Sequence, residues 1–193
     1  MKNTRIFKCC VLISFAILVL IIFCANLHKH SWDISNLEIE NDLECWKQLN
    51  FNEAVELDLE LSESNNYLIA EENLGNLEKQ IMSETGNAVQ YYQFLGSFFI
   101  KGYEEVRGTL STLVIIVDAD TPYIYTVRDP LSKVWCEHND ITWTQLNSYN
   151  TIGVNKISVR LGAAGYISTS TKNVRNQELL SNTLYPTFSV SIQ

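Results

Sequence analysis

The chain has 193 residues, a formal net charge of −8 and a mean hydropathy close to zero. That length suits one principal domain, and 46% hydrophobic residues are enough to build a sizeable core. An acidic chain repels polyanions and anionic lipid headgroups, which argues against nucleic-acid binding.

The first element is an unbroken apolar run from Cys9 to Ala25, preceded by Lys2, Arg5 and Lys8. Its 17 residues make a helix at the short end of what crosses a hydrocarbon core of about 30 Å. A signal-peptidase cut after Ala25 would leave bulky Phe23 at the third position before the bond, and a lipoprotein-type cut before Cys24 would put Phe23 at the bond itself. The expectation is a retained signal anchor. Residues 1–8 are then cytoplasmic, 9–25 transmembrane, 26–34 a linker, and 35–193 an extracytoplasmic domain. None of the 17 Asn beyond the run begins an Asn-x-Ser/Thr sequon, where chance would supply about two. This favours a single-pass protein of a bacterial inner membrane with a periplasmic domain.

Charge in the exported part is uneven. From Asp33 to Glu84 there are fourteen acidic residues against Lys47 and Lys79, whereas from Thr85 onward there are eight of each sign. The negative field is concentrated in the membrane-proximal third.

Ser35 and Glu38 have capping-box spacing, and Ile39, Leu43, Trp46 and Leu49 recur at helical intervals, which predicts an amphipathic helix over 36–49. Val55, Leu57, Leu59 and Leu61 alternate with Glu56, Asp58 and Glu60, which predicts a half-buried strand with a solvated acidic face. Leu74, Leu77 and Ile81 have helical spacing, but Gly75 weakens a helix, and 73–84 stays ambiguous. Strand formers dominate from Gln90, in segments 91–103, 108–117 and 123–128. Residues 156–161 and 165–171 flank Gly162-Ala-Ala-Gly165 and predict a hairpin. A short helix over Val174–Ser181 and a last strand over Phe188–Ile192 complete the chain. The predicted fold class is α+β, a mostly antiparallel sheet with a membrane-proximal amphipathic helix, preceded by one transmembrane helix.

Cys45 and Cys136 are the two cysteines outside the membrane segment and its edges, and an oxidising compartment predicts a disulfide between them. It would close a loop of about ninety residues and stabilise the fold by roughly 4 kcal/mol.

Asp118-Ala-Asp120, at the end of a hydrophobic strand behind a signal anchor, resembles the metal-holding carboxylates of Golgi-type glycosyltransferases and the nucleophile motif of haloacid-dehalogenase phosphatases. The resemblance covers fewer than ten residues. The phosphatase pattern wants Thr or Val where this chain has Pro122, and 73 residues after Asp120 leave no room for a nucleotide-sugar domain. Asp118, Asp120 and Pro122 read instead as the turn of a hairpin between 113–117 and 123–127. Cys136-Glu137-His138 brings a thiol near an imidazole, and His28 and His30 lie beside the bilayer. Neither group has the spacing of a zinc or nucleophile site. No cofactor, metal or catalytic set is expected.

Tyr91, Tyr92, Phe94, Phe98, Phe99 and Tyr103 cluster within one strand segment, where they form either a core or the wall of a small apolar pocket. Two functions follow. The first is a non-enzymatic accessory, regulatory or assembly protein whose exported domain binds another envelope protein. In layout it is similar to the small partners of membrane-spanning transcription regulators and to the anchored assembly factors of type IV secretion systems. The second is an extracytoplasmic sensor module for a small apolar ligand.

Overall fold

The structure, a computed structural model, describes residues 38–62, 66–137, 141–169 and 183–192. The anchor and linker expected at 9–34 and the helix expected at 174–181 lie outside the described residues. Among those residues no helix is long and apolar enough to cross a membrane.

The elements are β1 (Ile39–Leu49), α1 (Phe51–Leu61), α2 (Tyr67–Thr85), β2 (Ala88–Ile100), β3 (Tyr103–Asp118), β4 (Tyr123–Val127), β5 (Leu131–Cys136), β6 (Ile141–Ile152), β7 (Ser158–Thr169), β8 (Thr183–Leu184) and β9 (Thr187–Ser191). All strand pairs are antiparallel. With two helices among the described residues, the fold is α+β. The first sheet runs β1-β2-β3, with β4 and β5 following one another along the far edge of β3; the second runs β6-β7, with β8 and β9 sharing the far edge of β7.

Strand alternation produces three layers. Phe94, Phe98, Leu110, Val114 and Ile116 of the first sheet meet Val159, Leu161, Ala163, Ile167, Phe188 and Val190 of the second, forming one buried core. Leu113, Ile115 and Val117 point to the opposite face, where they pack with Ala54, Val55 and Leu57 of α1 and Ala70, Leu74 and Ile81 of α2. Polar ties fix the helices to this face. The Tyr91 hydroxyl donates to Glu78 at 3.0 Å, the Tyr125 hydroxyl to Glu84 at 2.9 Å, and Lys133 to Glu60 at 2.6 Å. Burial, with the Glu78 carboxylate alongside, raises the Tyr91 phenol above its ordinary range.

Two expected elements exchange identity. Residues 39–49 form a strand and 51–61 a helix. Asn50 caps α1, accepting from the Glu53 amide while the Glu53 carboxylate accepts from the Asn50 amide. This capping box outweighs the alternation of Val55, Leu57, Leu59 and Leu61. As a helix, the segment buries Ala54, Val55, Leu57 and Asp58 between sheet and α2 and exposes Asn52, Glu56 and Glu60, four apart. The ambiguous segment 73–84 is helical, as part of α2.

The hairpin expected around Gly162-Ala-Ala-Gly165 is also absent, because β7 runs straight through these residues. Both glycines make room for aromatic rings of β6. A Cβ at Gly162 would overlap the Tyr149 ring, and one at Gly165 the Trp143 ring. The hairpin at Asp118–Pro122 does form, pairing Val117 with Tyr123 and Val114 with Val127.

Cys45 and Cys136 are not joined. Cys45 is opposite Leu95 on the helix-side face of the first sheet; Cys136 is opposite Val106 and packs toward the core between the sheets. β2 and β3 lie between their strands, a separation of about 14 Å, whereas a disulfide needs Cα atoms within about 7 Å. Sequence distance carried no information about strand order.

Candidate functional site

A cleft of about 820 Å³ opens where the two sheets part along their β1 and β9 edges. One wall is Glu44 and Trp46 of β1, Gln90 and Tyr92 of β2, and Ile116 of β3. The other is Ser189, Val190, Ser191 and Ile192, with Thr121, Pro122 and Ile157 closing one end. At the opposite end Asn41 Nδ2 donates to the Thr187 carbonyl at 3.2 Å, tying the two edges together.

Strand geometry places these groups in order. Glu44 and Trp46 are two residues apart on one strand and so share a face. Across the ladder Trp46 is opposite Phe94, and Tyr92 is opposite Gln48. The carboxylate, the indole and the phenol therefore follow one another along the cleft. The Trp46 ring meets Tyr92 edge-to-face at 6.3 Å and Phe94 at 5.4 Å. The Tyr92 hydroxyl donates to Gln90 Oε1 at 3.0 Å, which holds its ring in place. On the far wall Ile192 N–H donates to the Ile157 carbonyl at 2.9 Å, setting the β9 end against the β6–β7 turn.

Of the six aromatic residues singled out in the sequence, Tyr92 alone lines this cleft. Phe94 and Phe98 fill the core between the sheets, and Tyr103 packs against it. Tyr91 points to the helices. Phe99 pairs with Glu40 and Arg107 on the helix-side face beyond the helices. Successive strand residues face opposite ways, so a run of aromatics cannot form one wall. Trp46 was missed as a lining residue because its segment read as a helix.

Asp118 and Asp120 sit exposed at the hairpin turn next to the Pro122 end of the cleft. Among the described residues no group of three or more His, Cys, Asp or Glu is placed to hold a metal. His138 lies outside the described residues.

A second feature is a sheet face. Beyond the helices, the helix-side face of the first sheet carries cross-strand rows Cys45–Leu95–Ser111–Leu131, Leu43–Ser97–Thr109–Lys133 and Glu40–Phe99–Arg107–Trp135. Leu43, Trp135 and Leu95 keep 60%, 43% and 37% of their surface exposed, so apolar surface is presented here on a rigid sheet. Its rim is charged with both signs, Asp42 and Glu137 approaching Arg107 at 3.8 and 3.9 Å and Lys101 pairing with Glu38 and Glu40.

No protein-family model, curated protein or solved structure matches the chain.

Proposed function

We propose that the chain is a non-enzymatic, single-pass membrane-anchored accessory protein whose extracytoplasmic domain docks on another envelope protein. The observation that carries this reading is the open sheet face around Leu43, Leu95, Phe99 and Trp135. Large apolar side chains held on paired strands, with a charged rim, are what a protein partner covers. Charge specifies that partner. The acidic third of the sequence supplies β1 and α1, which bring Glu40, Asp42 and Glu60 to this face, so a complementary surface carries Lys and Arg around an apolar centre. Membrane-spanning regulators and secretion components are the classes this layout suits.

The test is a photo-crosslinking residue at position 135 in the full-length protein in its own membrane. One stoichiometric envelope protein with a basic surface is expected. Capture should fall with Leu43→Glu and as ionic strength rises above the level at which the Debye length is about 8 Å. Capture indifferent to Leu43→Glu and to salt would overturn the reading.

The cleft between the sheets favours a second function, a sensor module for a small apolar ligand. About 820 Å³ lined by Trp46, Tyr92, Ile116, Pro122, Ile157 and Val190 is the size and chemistry of a small-molecule site. Thermal stabilisation by neutral apolar compounds such as quinones and medium-chain alcohols tests it.

A further inference from the structure

We infer that the inter-sheet cleft selects a cationic amphiphile, with its ammonium group against Glu44 and the Trp46 ring and its hydrocarbon part toward Ile116, Pro122 and Ile157. This rests on the small-ligand reading of the cleft and adds the charge and orientation of the ligand.

The cleft has a chemical direction. Among the described residues Glu44 is the one charged side chain in its lining, at the end nearer the Asn41–Thr187 tie. Among the described residues the lining contains no Lys, Arg or His, so a carboxylate or phosphate head would meet Glu44 there without a compensating cation. A cation would meet both a carboxylate and an indole. The basic residue nearest in sequence, Lys47, is on the other face of β1, where its ammonium is bound by Glu53 at 3.0 Å. It therefore leaves Glu44 available.

The aromatic groups reinforce the preference. Trp46 follows Glu44 along the same face of β1, and Tyr92 holds Trp46 edge-to-face. An indole face attracts ammonium groups, most strongly where water is partly excluded. With its hydroxyl occupied by Gln90, Tyr92 presents its ring rather than its hydroxyl. From there the lining carries Val190, Ile116, Ile157, Pro122 and Ile192, interleaved with the uncharged polar Gln90, Thr121, Ser189 and Ser191. Glu44 to the level of Gln90 is six residues of strand, about 20 Å. That length matches a single hydrocarbon chain lying beneath its head group rather than a compact amine.

The experiment is isothermal titration of the full chain in nanodiscs, with empty nanodiscs subtracted, using three water-soluble probes of equal chain length: octyltrimethylammonium, octanoate and octanol. Octyltrimethylammonium should bind about tenfold more tightly than octanol, and octanoate more weakly than octanol. Glu44 is exposed, so Glu44→Gln should fold normally; it should remove most of the cationic preference while leaving octanol binding unchanged. Trp46→Leu should weaken the cation most. Equal affinity for the three probes, or a preference unchanged in Glu44→Gln, would overturn this inference and leave the apolar-ligand reading standing. Binding of none of them would remove both. A preference seen only for a Lys-containing apolar peptide would assign the cleft to a protein segment and overturn the small-amphiphile inference.

Discussion

Asp58 of α1 and Arg128, in the link between β4 and β5, are joined as carboxylate and guanidinium. Arg128 Nε donates to Asp58 Oδ1 at 2.6 Å and Nη2 to Oδ2 at 3.4 Å. The same arginine continues the β3 ladder, its amide donating to the Leu113 carbonyl at 2.9 Å, while its own carbonyl accepts from the buried Thr112 hydroxyl. One residue thus fixes where β4 ends, where β5 begins and where the first helix sits.

Removing one partner strands the other. Asp58 is 8% exposed, and Asp58→Ala should lower stability by about 1.5–3 kcal/mol, the range for hydrogen bonds to charged groups. Pairing Asp58→Leu with Arg128→Met should recover most of that loss, since no charge is left uncompensated. Urea denaturation of the single and double variants measures it. Additive losses would mean that the two groups act independently.

The two sheets approach closely where Gly96 faces Phe188. A Cβ at position 96 would lie 2.6 Å from the ring, which is fully buried and edge-to-face with Phe94 at 5.6 Å. The ring has nowhere to move. Gly96→Ala should therefore cost about 1–3 kcal/mol, and adding Phe188→Leu should cost less than the sum of the two changes. A neutral Gly96→Ala would mean that the sheets sit further apart.

The β2–β3–β4 meander was legible because its strands are long and β-branched and its turn carries Asp118, Asp120 and Pro122. The exchange of strand and helix at the start has a local cause. Ile39, Leu43, Trp46 and Leu49 mimic helical spacing because β1 carries apolar residues on both faces, Ile39 and Trp46 toward the core between the sheets and Leu43 and Leu49 toward the helix side, and because a bulge between Asn41 and Leu43 shifts the pairing by one residue. A strand with a one-residue insertion loses its period of two. The sequence carries the signal for the true start, since Asn50 and Glu53 form the same capping pattern as Ser35 and Glu38. β5 and the long β6 were missed because their apolar residues are interleaved with Lys133, Gln145 and Asn147. Gln145 is in fact a joint, its side-chain carbonyl accepting from the Ser132 amide and its NH₂ donating to the Pro130 carbonyl at 3.1 Å. The cleft was illegible because it is built from both sheets, and strand order was not available.

Acid should loosen the start of α1. The Glu53 carboxyl lies below its ordinary value of 4.5 because it accepts hydrogen bonds from the Asn50 amide and from Lys47. A depressed carboxylate contributes stability that is present above the ordinary value and is lost as pH falls through the folded-state value. The stability gap between the parent and Glu53→Ala, measured by denaturation, should therefore be largest near neutrality and shrink below pH 4.5. A gap that stays constant into acid would place the effect of Glu53 in packing rather than charge. Asn50→Ala removes the cap itself and should cost about 1 kcal/mol.

The separation of Cys45 and Cys136 gives the most direct check on the strand order. Cys45 is exposed on the helix-side face of the edge strand β1, while Cys136 is half-buried on β5 and turned toward the core. With Cys9, Cys10 and Cys24 replaced by alanine, the folded full-length protein should take up two maleimide labels, Cys45 first and Cys136 more slowly. Its mobility in electrophoresis should not change on reduction. Cys45→Ser should leave stability within about 0.5 kcal/mol of the parent, as surface changes do, far from the 2–5 kcal/mol that loss of a native disulfide costs. A compact non-reduced band, absent from both single serine variants, would require the ends of the β1-β2-β3-β5 sheet to meet and would refute this topology.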